Sequence, residues 1–195
     1  MVYQFSLPLL LADALLQEDA RPLCRWLLNL DAPLPGTTFL NFTASHDGIG
    51  IRPIKGLVPW ERVTALVTAT KESGGRISFH RTRDGNDIPY ELNVTYRDLL
   101  GTDQGLVVDR FILSQALMLS LAGIPGIYFH SLIGSGNDIF GMEESGIPRR
   151  INRRKYDWDE LSQVLADKGS LQFEIFNRYR SLISIRKQQS AFHPN

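Results

Sequence analysis

The chain has 195 residues, 43% of them hydrophobic and 22% charged, which is enough apolar material for a sizeable core and too much for a disordered chain. Its 21 Lys and Arg balance 21 Asp and Glu, so no broad basic face is implied that would hold a nucleic-acid backbone or an anionic membrane. The lone cysteine, Cys24, excludes an internal disulfide framework, and within "LCRWLL" it is expected as a small buried hydrophobe.

The opening "FSLPLLLADALL" is apolar, but no basic segment precedes it, Asp13 interrupts it and no small-x-small cleavage pattern follows, which argues against a signal peptide. No other run approaches the roughly 18 residues of a membrane span, and a cytoplasmic location is the default expectation. In chain order, residues 2–7 read as a strand, 9–16 as a helix, and "RPLCRWLLNL" as a second helix with Asp19 before it and Pro22 in its first turn. Residues 38–43 read as the next strand. A helix is predicted over 59–71, with Val63, Leu66 and Val67 on one face and a stop at Gly74 and Gly75. Residues 109–121 are apolar almost all round, as in a buried helix, and 126–132 read as a third strand. Asp157 with Glu160 three positions on suggests a capping box for "WDELSQVLAD". An amphipathic helix is expected over 171–188.

Alternation of strands and helices predicts an α/β fold with parallel strands and crossover helices, in an open sheet or a barrel. The stretch from 49 to 108 is far longer than an ordinary βα loop. It divides the chain into a first part over 1–48, an excursion region over 49–108, and a last part over 109–195. In a (β/α) barrel such excursions grow from the C-terminal ends of strands, where active sites lie.

The second strand runs into "SHDGIG". A carboxylate directly after an imidazole at a strand tip suits chemistry on a sugar: an ionised Asp47 can face positive charge at the anomeric carbon or grip ring hydroxyls, and His46 can bond a neighbouring hydroxyl. From the pair alone, an Asp capping a turn beside a surface His is the commoner occurrence.

Four motifs, "TASHDGIG", "PYELNVTYRDLL", "AGIPGIYFHSLIGSGND" and "RRINRRKY", occur in the order and near the spacing seen in the sucrose-phosphorylase-like and glucosylglycerate-phosphorylase-like branch of glycoside hydrolase family 13, the α-amylase family. The chain resembles the C-terminal part of that catalytic barrel, so the fold expected is a partial (β/α)8 TIM barrel with an excursion domain after the His-Asp strand. The resemblance implies a retaining α-glucosyl phosphorylase: a nucleophilic Asp forms a glucosyl-enzyme, a Glu serves as acid/base, and phosphate takes the glucosyl group. It makes Asp47 the transition-state stabiliser, His46 a sugar-hydroxyl ligand and Arg153 a ligand of the glucosyl ring, with adjacent Arg154 leaving that assignment open by one position. Tyr90, Glu91 and Asn93 fall in the acceptor segment, where "IPYELN" resembles relatives acting on glucosylglycerate and sucrose phosphorylases commonly have glutamine at the Glu91 position.

Nucleophile and acid/base lie upstream of the first strand in those enzymes, so a chain carrying only the stabilising carboxylate is expected to be inactive alone, and an open barrel edge is expected to self-associate. An α-glucoside hydrolase and a non-catalytic carbohydrate-binding remnant are the alternatives. The partners implied are a small-molecule α-glucoside and inorganic phosphate, with no nucleic acid and no membrane. No His/Cys cluster has metal-ligand spacing, so no metal or cofactor is expected. His80, Arg81 and Arg83 are weighed as anion contacts and read as a solvated loop, Asp138 as turn chemistry, and Trp26, Trp60 and Trp158 as core or interface residues.

Overall fold

A computed structural model describes residues 1–101 and 105–192. The first elements are a short strand β1 (Val2–Tyr3) and helices α1 (Leu7–Leu16) and α2 (Arg21–Leu28). Strand β2 (Phe39–Phe42) follows and leads into the His-Asp loop. Then come β3 (Ile49–Gly50), α3 (Trp60–Glu72), the hairpin strands β4 (Arg76–Arg81) and β5 (Asp87–Asn93), and the short α4 (Tyr96–Leu99). Helix α5 (Val107–Ser120), strand β6 (Ile124–Gly126), α6 (Phe129–Leu132), α7 (Ile139–Ser145), α8 (Trp158–Ala166) and α9 (Leu171–Gln188) complete the chain.

Two three-stranded sheets result. One is parallel, in the order β1-β2-β6, with Leu40 opposite both Tyr3 and Ile124. The other is antiparallel, in the order β3-β5-β4, and is built from residues between 49 and 93. In the chain this antiparallel sheet lies between β2 and α5, and α5 carries the chain back to β6, which pairs parallel to β2. One cluster of buried hydrophobics runs through both parts and includes Leu9 and Leu10 of α1, Leu66 of α3, Leu92 of β5, Phe111 of α5 and Tyr179 of α9.

A buried polar contact sets the height of the His-Asp loop over this core. Gln115 of α5 accepts from Tyr179 Oη at 2.9 Å and from Thr43 Oγ1 at 3.0 Å, so α5, α9 and the end of β2 meet at one amide oxygen. Asn41 adds a bond from its side chain to the Ala122 carbonyl at 2.9 Å. Such satisfied buried polar groups fix register where apolar contacts alone would slide.

Several boundaries differ from the sequence expectation for identifiable reasons. The first strand ends at Tyr3 because helix α1 begins at Leu7, with Pro8 supplying a helix-compatible φ in its first turn. The strand expected over 126–132 lies instead at Ile124–Gly126, and α6 starts three residues later, since β2 ends at Phe42, opposite Gly126, and offers no further ladder partner. Asp157 does cap α8, accepting from the amides of Asp159 and Glu160, but the Glu160 side chain pairs with Arg154 and does not close a capping box. Cys24 is exposed rather than buried, because α2 turns Pro22 and Leu23 inward and leaves position 24 on the solvent side. Trp26 packs partly against the core, whereas Trp60 and Trp158 are largely exposed.

Candidate functional site

The loop that follows β2 places Asp47 on the edge of a cleft of about 220 Å³, lined by Phe5, Phe42, Ser45, Gly48 and Glu91 among others. Short local bonds shape the loop: the Asp47 amide donates to Ser45 Oγ at 3.2 Å, and Asn152 Nδ2 reaches the Asp47 carbonyl at 3.3 Å. Asn152 is itself held, since Tyr128 Oη donates to its carbonyl at 2.7 Å. Burial pushes the Tyr128 phenol above its usual pKa, with the nearby Arg153 charge pulling the other way. On the apolar side of the cleft Phe5 and Phe42 meet edge to face at 5.4 Å, and Tyr3 stacks on Phe5 at 5.7 Å.

The Asp47 carboxylate is 39% exposed and faces two guanidinium groups, Arg149 at 3.1 Å and Arg153 at 3.2 Å, both on Oδ1. Oδ2 lies 3.6 Å from His46 Nε2 on an imidazole that is 66% exposed. Arg153 also donates from Nε to the His46 carbonyl at 2.8 Å. Arg149 reaches across to Glu91, donating from Nε at 3.1 Å and from Nη2 at 2.8 Å, a two-pronged pair of the kind a planar guanidinium favours. That bonding, then the Glu91 charge and to a smaller extent Asp47, holds the Arg149 pKa above its ordinary value.

Both arginines come from the segment after α7: Arg149 lies in a 3-10 turn at Pro148–Asn152, and Arg153 follows it directly in a non-helical conformation. The turn is pinned by Arg150, which pairs with Asp138 and donates to the Arg153 carbonyl. Asp138 caps α7 by accepting from the Gly141 amide at 3.0 Å, in keeping with the turn role expected for it. Arg154 leaves the cluster, pairing with Glu160 at 3.0 Å and lying over the Tyr156 ring. Between the two adjacent arginines, then, Arg153 is the one beside Asp47.

Of the residues singled out from the sequence, His46, Asp47, Glu91 and Arg153 are brought together. Tyr90 and Asn93 are not. Strand alternation turns Tyr90 to the face of β5 opposite Glu91, where it is exposed, while Asn93 is fully buried and donates to Ser78 Oγ at 2.9 Å. His80 and Arg81 end the exposed strand β4, away from the cleft lining. Sequence reasoning missed Arg149, Asn152 and the Phe5 and Phe42 wall. The doubled "RR" four positions before the second "RR" was the available signal for Arg149, since residues 149 and 153 are spaced to lie near each other on a helical turn. No group of three His, Cys, Asp or Glu side chains that could hold a metal occurs among the described residues, and no helix among them is long and apolar enough to cross a membrane.

No family model matches the chain. Whole-chain similarity to known proteins is nonetheless clear. The chain is 41% identical over 198 aligned positions to the glucosylglycerate phosphorylase of Escherichia coli (strain K12), covering 100% of this chain and 35% of that protein. It is 44% identical over 200 positions to the glucosylglycerate phosphorylase of Allomeiothermus silvanus, covering 100% of this chain and 36% of that one. Among solved structures, the crystal structure of sucrose 6F-phosphate phosphorylase from Thermoanaerobacter thermosaccharolyticum shares the fold, with a TM-score of 0.81 over 97% of this chain and 37% of that chain at 24% identity. The chain spans just over a third of the length of these relatives. Over all its residues it is a homologue of part of the glucosylglycerate- and sucrose-phosphorylase branch, with an α/β fold matching a piece of such an enzyme.

Proposed function

We propose that this chain is part of a retaining α-glucosyl phosphorylase, a partial TIM barrel that carries the transition-state-stabilising carboxylate and part of the acceptor side of a glucoside site. The observation that carries the reading is Asp47: a half-exposed carboxylate at the edge of a cleft, oriented by two arginines and backed by aromatic rings. An ionised carboxylate held in that way stabilises the oxocarbenium-like charge that builds on a sugar as its glycosidic bond breaks. His46, exposed beside it, would bond a ring hydroxyl. Arg153 would meet the glucosyl ring through the part of its guanidinium not spent on Asp47 and the His46 carbonyl. Phe5 and Phe42 give the apolar wall against which the C–H face of a sugar can lie. On this reading residues 49–108 form the excursion region on the acceptor side, with Tyr90, Glu91 and Asn93 on its central strand.

Retaining chemistry needs a nucleophile and an acid/base about 5.5 Å apart. Asp47 and Glu91 are the carboxylates lining the cleft among the described residues, and Arg149 binds both. We therefore assign bond making and proton transfer to residues of a longer protein, and expect the 195-residue chain alone to be without turnover. Substrates would be an α-glucoside and inorganic phosphate, with glucosylglycerate favoured over sucrose, in keeping with the names of the relatives at above 40% identity.

The test is phosphate-dependent formation of α-glucose 1-phosphate from glucosylglycerate and from sucrose, by the chain and by the longer protein read from its gene. The longer protein should release glucose 1-phosphate, faster from glucosylglycerate, and Asp47→Asn should cost roughly 100-fold or more in turnover because the amide keeps the shape and removes the charge. Free glucose without glucose 1-phosphate would identify a hydrolase instead. Turnover by the short chain would overturn the division of labour.

A further inference from the structure

We propose that Arg149 is a positioning residue through which Glu91 sets the orientation of Asp47, so that Glu91 acts on the reaction without touching substrate. This rests on the reading of Asp47 given above. Arg149 is the side chain that touches both carboxylates: Nε and Nη2 bind the two oxygens of Glu91, and Nη1 donates to Asp47 Oδ1 at 3.1 Å. The Glu91 side chain is only 7% exposed. Gly48 closes over it so tightly that a Cβ there would stand 2.5 Å from Glu91 Cγ. With one Arg149 bond on each oxygen and 7% of its side chain exposed, Glu91 presents little surface to a substrate hydroxyl.

What Glu91 can do is fix a plane. A guanidinium held at two of its nitrogens by one carboxylate has its third nitrogen aimed in a set direction, and here that direction is Asp47. The frame on either side is rigid: Glu91 sits on the central strand β5, and Arg149 on the 3-10 turn anchored by Arg150 to Asp138. Arg153 approaches Asp47 from the exposed side and shares its bonds with the His46 carbonyl. Arg149 therefore couples the acceptor-side strand to the His-Asp loop. A lysine at 149 would keep the charge but could not span both carboxylates.

The experiment compares Arg149→Lys, Arg149→Met and the double variant Glu91→Met/Arg149→Met in two measurements. In the phosphorylase assay on the longer protein, both single variants should lower kcat at least about tenfold with the glucoside KM moving less than about threefold, as expected for a misplaced group that acts in the transition state. The double variant removes both charges together, so its thermal stability should return toward the parent while kcat stays low. Recovery of kcat along with stability would show that Arg149 merely neutralises Glu91, and would overturn the proposal. The second measurement needs no activity: amide hydrogen exchange at residues 45–49 of the 195-residue chain should be about tenfold faster in Arg149→Met and in the double variant, and unchanged in Arg154→Met. Equal exchange in parent and double variant overturns the proposal whatever the kinetics show. Absence of phosphate-dependent turnover in the longer protein refutes the phosphorylase reading instead, and leaves hydrogen exchange to decide the coupling.

Discussion

Arg153 Nη2 lies 3.2 Å from Asp47 Oδ1 while its Nε donates to the His46 carbonyl, so one guanidinium holds the side chain of one residue and the main chain of its neighbour, 106 and 107 residues away. Arg154, its neighbour, turns outward to Glu160 and the Tyr156 ring. The two arginines should therefore separate cleanly. On the proposed reading of the site, Arg153→Leu should lower kcat/KM for phosphorolysis on the order of 100-fold in the longer protein, because it releases the loop and removes a charge beside Asp47. Arg154→Leu should stay within about twofold, as exposed ion pairs contribute little. Comparable losses from both would refute the assignment of Arg153.

How far the site could be read from sequence follows from where each residue sits. Asp47 and His46 were legible because a strand with clear alternation ends just before them. Which of Arg153 and Arg154 turns inward was open by one position, since nothing in "INRRKY" says; in the structure Arg153 lies beside Asp47 and Arg154 pairs with Glu160. For Arg149 the sequence offered only its spacing of four from Arg153, because its partners, Glu91 and Asp47, lie 58 and 102 residues away, and no local pattern encodes their meeting. Helix α9 spans residues 171–188 as its periodicity predicts. Strand β6 misled, since "GIYFHSL" has strand-like composition but no neighbour to pair with beyond Gly126.

Gly48 tests the tightness of the cleft floor. An added Cβ would meet Glu91 Cγ at 2.5 Å and the Leu92 carbonyl oxygen at 2.8 Å, and the backbone of a paired central strand cannot retreat. Gly48→Ala should destabilise the fold by about 1–3 kcal/mol, lowering Tm by several degrees. At Gly50 the nearest atom to such a Cβ is Pro53 Cδ at 3.8 Å, so Gly50→Ala serves as the tolerated control. Calorimetry that found equal Tm values for both would show that the loop yields.

His130 gives a pH signature. Its Nδ1 lies 3.0 Å from Ser135 Oγ, which also accepts from Tyr156 Oη at 2.9 Å. Burial first, then the Arg150 charge, depresses its pKa, with Asp138 opposing. In the unfolded chain the imidazole titrates near 6.5. Below that pH the unfolded state binds more protons than the folded one, so stability is lost as pH falls from about 6.5 toward the depressed folded value, and rises with pH across that window. Urea unfolding at several pH values should show a shallower acid-side loss for His130→Gln than for the parent chain. Parallel curves would mean that the folded imidazole titrates like a free one.

The last prediction concerns the open edge of the parallel sheet. Strand β1 pairs with β2 on one side, and on the other the sheet order gives it no neighbour among the described residues. Met1, Val2, Tyr3 and Phe5 are all exposed there, and at the opposite edge Ile124 is exposed as well. Unpaired strand groups beside exposed aromatic rings form a ready template for pairing with another chain. Relatives nearly three times as long have further residues available to cover such an edge; this chain spans 35% of the Escherichia coli protein. The 195-residue chain alone should therefore self-associate in a concentration-dependent way. Val2→Lys with Tyr3→Lys should shift it toward monomer, because charge on an edge strand must be desolvated before a second strand can add. Sedimentation velocity over a wide concentration range makes the measurement. A parent chain that stays monomeric throughout and unfolds in one sharp transition would show that the edge needs no cover, and would remove the physical reason for expecting a larger barrel around it.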